Sequence, residues 1–168
     1  TDTLDITGEV LETREVNASR ADFESALQSF SGTIEQVPPM YSAISQNGVR
    51  LYKLARQGIE VERESRTVNI SSISLVGCNE KNGEYTISVE CSAGTYIRSL
   101  VADIGEKLSC GAVMTALRRT KANGFPIDGC IILDELAELA QSGKIEEKII
   151  PIEQALGPYR FVTVTEPQ

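Results

Sequence analysis

A strand–turn–strand–helix signature between residues 67 and 108 constrains this chain more than any other feature. Residues 67–76 are rich in β-branched side chains, which suit the pleated, half-buried surface of a strand. Val68 and Ile70 share one side of that strand, whereas Ile73 and Leu75 share the other. The two-residue period therefore slips near Ser71-Ser72, where a bulge is expected. Asn82-Gly83 supplies a hairpin turn. Tyr85, Ile87, Val89 and Cys91 then alternate with polar residues as the returning strand, so 67–79 and 84–91 are expected to pair. Beyond Gly94, the side chains Ile97, Leu100, Val101, Ile104 and Leu108 fall on one helical face. The expected fold class is α+β, a mostly antiparallel sheet with helices packed on it.

The flanks add elements to this unit. Residues 8–16 alternate around Val10 and read as a strand. Ser19, with Asp22 three residues on, forms a variant capping box. It opens a helix over 21–30 with Phe23, Ala26, Leu27 and Phe30 at helical spacing, closed by Gly32. Residues 37–43 hold Pro38-Pro39, which removes two donors and fixes two φ angles, so this stretch is extended and stiff. Asn47-Gly48 is a turn signal, followed by a short helix from Leu51 that ends at Gly58. Residues 112–122 fit a strand or a helix, and the bracketing Gly111 and Gly124 favour a strand. Residues 133–140 read as a helix with Leu136, Leu139 and Ala140 inward. Pro151 suits the first position of a helix over 152–156. Gly157-Pro158 breaks that helix, and Phe161, Val162 and Val164 start another extended segment.

Composition excludes whole classes of chemistry. The chain of 168 residues contains no histidine. Ser-His-Asp triads, Cys-His dyads and most zinc sites are therefore ruled out. Catalysis has to use carboxylates, Tyr, Lys, Arg or Cys. The four cysteines, Cys78, Cys91, Cys110 and Cys130, form no Cys-x-x-Cys pair and read as reduced, partly buried thiols. No apolar run reaches the roughly 20 residues that a spanning helix needs. The N-terminus is acidic and lacks the apolar centre of a signal peptide. It also lacks a start methionine, so the chain is expected to begin inside a larger protein or to have been processed.

Net charge is −8, which argues against a nucleic-acid partner until its distribution is examined. Residues 1–32 carry 7 acids and 2 bases, and residues 128–168 carry 8 acids and 3 bases. The middle, 33–127, carries 11 bases and 9 acids. The cations thus concentrate where the motifs lie, although ordinary solvated surface charge would give the same count.

Two clusters have residue types suited to chemistry. In Ser92-Ala93-Gly94-Thr95-Tyr96-Ile97-Arg98, Thr95 is a candidate N-cap. Arg98 falls in the first helical turn, where the macrodipole disfavours a cation. A carboxylate or phosphate beside Arg98 would resolve that conflict, and Tyr96 offers a flat ring for stacking. The same residues also suit a surface arginine and a half-buried tyrosine packed on the sheet. In Leu117-Arg118-Arg119-Thr120-Lys121 three cations lie within five residues. On a strand, Arg118 and Thr120 would face one side, and Leu117, Arg119 and Lys121 the other. Such a strand suits phosphate contacts and suits a charged, protected sheet edge equally well.

The sequence resembles the bacterial tRNA pseudouridine synthase B (TruB) family. Three stretches carry the resemblance. The first is Gly32-Thr33-Ile34-Glu35-Gln36-Val37-Pro38-Pro39-Met40-Tyr41-Ser42-Ala43. The second is Leu51-Tyr52-Lys53-Leu54-Ala55-Arg56-Gln57-Gly58-Ile59-Glu60-Val61. The third runs from Gly94-Thr95-Tyr96-Ile97-Arg98 through Gly105-Glu106-Lys107-Leu108 to Leu117-Arg118-Arg119-Thr120. Their order and spacing match over nearly the whole chain. The resemblance implies an isomerase that converts one T-loop uridine of tRNA to pseudouridine, without metal or organic cofactor. The base is flipped out, its glycosidic bond is cleaved by an aspartate nucleophile, and it is rejoined through carbon. The resemblance also implies Tyr96 in the base pocket, Arg98 paired to the nucleophilic aspartate, and Leu117 as an apolar wall. Arg118 and Arg119 are then expected to contact the RNA.

The sequence departs from the family pattern in one place. The family's aspartate lies in a Gly-x-Leu-Asp-Pro type loop, whereas Asp5 is followed by Ile6-Thr7-Gly8. Thr1-Asp2-Thr3-Leu4-Asp5 matches instead a later Thr-Asp-Thr-x-Asp stretch of the family. Asp5 is accordingly not assigned as nucleophile, and that aspartate is expected upstream. Residues 1–127 are expected to form the C-terminal part of the synthase catalytic domain. Residues 128–168 are expected to form a helical extension and the start of a C-terminal segment. The expected partner is the tRNA T stem-loop, in the cytoplasm, with no membrane and no metal. A half-domain would expose apolar surface, so self-association is also expected. The alternative is a catalytically silent RNA-binding module.

Overall fold

The hairpin that dominates the sequence also organises the structure, a computed structural model describing residues 1–157. In chain order the first elements are α1 (Arg20–Gln28), β1 (Gly32–Gln36), β2 (Ser45–Gln46), β3 (Val49–Arg50) and α2 (Leu51–Ala55). They are followed by β4 (Arg66–Asn79), β5 (Glu84–Cys91) and α3 (Ile97–Lys107). Beyond these come β6 (Lys121–Ala122), β7 (Phe125–Pro126), α4 (Leu133–Gln141) and α5 (Ile152–Ala155). The main sheet is antiparallel in the order β1-β4-β5. Two compact units are present, Thr1–Leu117 and a smaller one from Arg118 onward.

The slip in hydrophobic phase is a real bulge. The β4–β5 register shifts between Ile70 and Ser72. One extra residue there returns Ile73 to the face already occupied by Val68 and Ile70, and all three are buried. A second shift between Leu75 and Gly77 was not legible from the pattern. The bulged face receives α1 and α3, and Phe23, Leu27, Ile70, Ile73, Leu100 and Ile104 form the core. Phe23 stacks on Tyr85 of β5 with centroids 4.2 Å apart.

α1 begins with the expected box. Ser19 Oγ accepts from the Asp22 N–H (3.2 Å), and the Asp22 carboxylate accepts from the Ser19 N–H (2.9 Å). The helix closes on Ser29 rather than Gly32. Gly32, with φ at +90°, instead turns the chain into β1. Asn47 and Gly48, both with positive φ, make the two-residue turn between β2 and β3.

Several expectations are corrected. Residues 8–16 form no strand; the Asp2 N–H donates to Glu9 O (3.0 Å), but this bond starts no ladder among the described residues. Val10, Leu11 and Val16 are exposed. The stretch is fastened by Arg14, which bonds Glu12 (2.8 Å) and Glu106 of α3 (2.8 Å). Residues 112–122 are not one strand either. A single parallel bridge joins Met114 to Asp5, and regular pairing resumes only in β6, around a turn at Asn123-Gly124 to β7. Thr95 is not the N-cap of α3. Its hydroxyl donates back to Ser92 O (2.9 Å), and Tyr96 occupies the cap without a side-chain bond of its own. Pro151 is the N-cap of α5 rather than its first residue.

In the second unit, α4 appears where its pattern predicts. Leu136 and Leu139 are half-buried, but Ala140 is exposed. The extended segment expected at Phe161, Val162 and Val164 lies outside the described residues. Among the described residues, no helix is long and apolar enough to cross a membrane.

Candidate functional site

The first turn of α3 is where separate parts of the first unit converge. β5 hands over to it through Ser92, whose N–H donates to Asn69 O (2.8 Å) and whose Oγ accepts from the Asn69 N–H (3.0 Å). The reversal that follows needs a left-handed residue, and Gly94 supplies it with φ at +86°. Tyr96 then caps the helix, followed by Ile97, Arg98 and the buried Ser99.

The segment after β1 is stitched to this turn by side chains. Gln36 Oε1 accepts from the Tyr96 N–H (2.7 Å), and Gln36 Nε2 donates to Tyr96 O (3.1 Å). Ser99 Oγ donates to Val37 O (3.2 Å). Arg98 donates to Tyr41 O (2.8 Å) and to Thr3 O (3.1 Å). Residues 38–43 run through two prolines and a bend, so no ladder satisfies their carbonyls. Arginines reach three of them: Arg63 donates to Pro38 O (3.4 Å), Arg98 to Tyr41 O, and Arg50 to Ala43 O, while the Ser42 and Tyr52 N–H groups donate to Met40 O (2.9 Å) and Ser42 O (3.1 Å).

The third participant is the knotted turn at residues 1–8. Asp5 Oδ1 accepts from the Thr7 N–H (3.0 Å) and the Thr7 hydroxyl (2.7 Å). The Ile6 N–H donates to Met114 O (2.9 Å), and the Met114 N–H donates to Leu4 O (3.3 Å). Arg98, through Thr3, and Met114, on the return from α3, therefore hold this turn from two sides. The Thr7 N–H and hydroxyl hold the Asp5 carboxyl below its ordinary range, with a smaller contribution from Arg98. Burial raises the Tyr41 hydroxyl above its ordinary value, and the Asp2 carboxylate near it adds to that rise.

A lowered carboxyl stabilises the fold above its unfolded pKa, and that contribution disappears as pH falls through the folded value. Thr7→Val removes one of the two Thr7 donors. The Asp5 carboxyl should then titrate closer to an ordinary aspartate in a carbon-detected NMR titration. An unchanged Asp5 titration would assign the lowering to the Thr7 N–H, which the variant retains, rather than to the hydroxyl.

The residues singled out in the sequence fall into two groups. Tyr96 and Arg98 share the first turn of α3, and both are half-buried. Leu117 lies on the return strand-like stretch, three residues past Met114, and is 57% exposed. Arg118 and Arg119 are exposed and open the second unit. The two-faced strand expected for residues 117–121 does not form, since only Lys121 is paired. Sequence reasoning missed Gln36, Ser99, Tyr41 and Thr3. Gln36 left one legible signal. It continues the inward phase of Ile34, and a carboxamide at such a position needs partners.

Comparisons with known proteins place the chain in a family. Residues 1–97 match the family "TruB family pseudouridylate synthase (N terminal domain)". Residues 98–157 match the "tRNA pseudouridylate synthase B C-terminal domain". The tRNA pseudouridine synthase B of Clostridium perfringens is 50% identical over 169 residues, covering 99% of this chain and 55% of that protein. The protein of the same name from Bacillus subtilis is 48% identical, covering 93% of this chain and 52% of its own length. The chain thus spans about half the length of the curated relatives it matches. Among solved structures, a chain of a Cbf5-Nop10-Gar1 complex superposes with a TM-score of 0.67 at 26% identity, over 86% of this chain and 40% of that one. With both family matches covering the described chain end to end, this chain belongs to the TruB family of pseudouridylate synthases.

Proposed function

We propose that the whole protein is a cytoplasmic tRNA pseudouridine synthase that isomerises a uridine of the T loop, and that the first turn of α3 forms one wall of its active site. The observation that carries this reading is the position of Arg98. Its guanidinium is half-buried and anchored on two backbone carbonyls, Thr3 and Tyr41. It pairs with no carboxylate among the described residues. A guanidinium keeps further N–H donors in its fixed fork beyond those two bonds, and these suit the nucleophilic aspartate that the reaction requires. Tyr96 lines the pocket of the flipped base, Leu117 closes that pocket on an apolar side, and Arg118 and Arg119 meet RNA phosphates.

Asp5 is not the nucleophile in this reading, because it is followed by Ile6-Thr7-Gly8 and not by the proline of the family's aspartate loop. The reaction breaks the C1′–N1 bond, forms a C1′–C5 bond, and moves the C5 proton to solvent while N1 gains one. It is a net isomerisation that consumes no cofactor.

The test is tritium release from T-loop RNA labelled at uridine C5, using the full-length protein. The expected result is release of the T-loop label alone, with RNA lacking that uridine inert. Binding without release would favour a silent RNA-binding module, and release from uridines elsewhere would remove the T-loop assignment.

A further inference from the structure

We infer that Gln36 is a positioning residue for Tyr96, and that its carboxamide sets the orientation of the aromatic wall of the base pocket; this rests on the function proposed above. Gln36 ends β1 and is only 2% exposed. A buried carboxamide is costly unless both of its ends are paired. Here both ends are spent on the backbone of one residue, sixty positions away, the Tyr96 N–H and C=O. The donor and acceptor sides of Tyr96 also fix which way the amide is turned, since a flipped amide would oppose both bonds.

Tyr96 needs such an external hold. It is the cap of α3 but receives no side-chain bond from its own neighbourhood, because Thr95 has turned back to Ser92. Its backbone lies outside the helix, at φ −95° and ψ 105°, so the helical ladder does not fix it from the N-terminal side. The Tyr96 carbonyl already accepts the first helical bond, from the Leu100 N–H (3.0 Å). Gln36 adds a second donor to that carbonyl and an acceptor to the N–H, and so clamps the peptide groups on either side of the Tyr96 Cα. The direction of the Cα–Cβ bond, from which the ring projects, follows from that clamp. Arg98 and Ser99 fasten different carbonyls, Tyr41 and Val37, and do not replace it.

Two variants of the full-length protein test this. Q36M keeps the length of the side chain and removes both bonds. Q36E keeps both bonds only while its carboxyl is protonated, since an ionised carboxylate would set an oxygen against Tyr96 O. With RNA saturating, kcat of Q36M is expected to fall about tenfold to a hundredfold, the scale of a small misplacement in a site. KM should stay within about threefold, because the loss is in the reacting geometry and not in RNA binding. The kcat of Q36E, taken relative to the unsubstituted protein at each pH, should rise as pH falls through the pKa of the introduced carboxyl.

Circular dichroism at the assay temperature identifies the folded fraction to which each rate is normalised. If Q36M does not fold, Q36E at low pH carries the test. A Q36M kcat equal to that of the unsubstituted protein overturns the inference. So does a loss confined to KM, a pH-flat Q36E ratio, or failure of both variants to fold at every pH, which would make Gln36 structural only. An unsubstituted protein that forms no pseudouridine overturns the function proposed above and this inference with it, so the two failures are distinguishable.

Discussion

Gly105→Ala should destabilise the full-length protein by about 1–3 kcal/mol, the range for forcing atoms into a packed site. The sign is informative, because alanine in an exposed helix interior is favoured over glycine by roughly 1 kcal/mol. Gly105 lies in α3 and is buried. A Cβ placed on it would stand inside van der Waals contact of the Ala112 backbone nitrogen and the Gly111 carbonyl carbon, and 2.6 Å from the Ala112 Cβ. Its carbonyl accepts from both the Cys110 (3.2 Å) and Gly111 (3.0 Å) N–H groups, so the chain reverses directly over it. The obstacle is backbone, which cannot rotate away as a side-chain tip would. Displacing residues 111–114 also pulls Met114 from its bridge to Asp5. The expected measurement is a lower urea midpoint with an unchanged slope. A raised midpoint would mean that helix propensity outweighs the contact and that the return does not press on α3.

Arg98→Ala should lower kcat in the full-length protein by about a hundredfold or more, as removal of a preorganised charged donor does in other sites. The variant should remain folded but less stable by about 2 kcal/mol, the scale of bonds from a charged donor. The structure adds this second effect. From sequence, Arg98 is only the partner of a carboxylate, whereas in the fold it also ties Thr3 to Tyr41. Arg98→Lys should recover part of the stability and little of the turnover, because an ammonium is a point donor and cannot span two carbonyls and a carboxylate in one plane. A normal rate in Arg98→Ala would take Arg98 out of the site.

The elements that were legible are those whose signals are local. The capping box at Ser19 and Asp22, the turn at Asn47-Gly48 and the phase slip at Ser71-Ser72 each concern residues within a few positions of one another. The elements that were misread depend on distant partners. Residues 8–16 and 112–122 have strand-like composition, yet a strand exists only where another backbone completes its ladder. Thr95 has a good capping side chain, but its hydroxyl finds Ser92 O first, a competition that propensity does not resolve.

The same division runs through the candidate site. Residue types and spacing, with the family resemblance, were sufficient to single out Tyr96, Arg98 and Leu117 and to name the family. The tertiary structure alone decided how that turn is held. Its ties join residues 57, 60, 62 and 95 positions apart. Sequence shows which side chains carry hydrogen-bonding groups. Which carbonyl each one reaches is set by the crossing of β1, the proline segment and α3, and that crossing is fixed by burial of the common core beneath them.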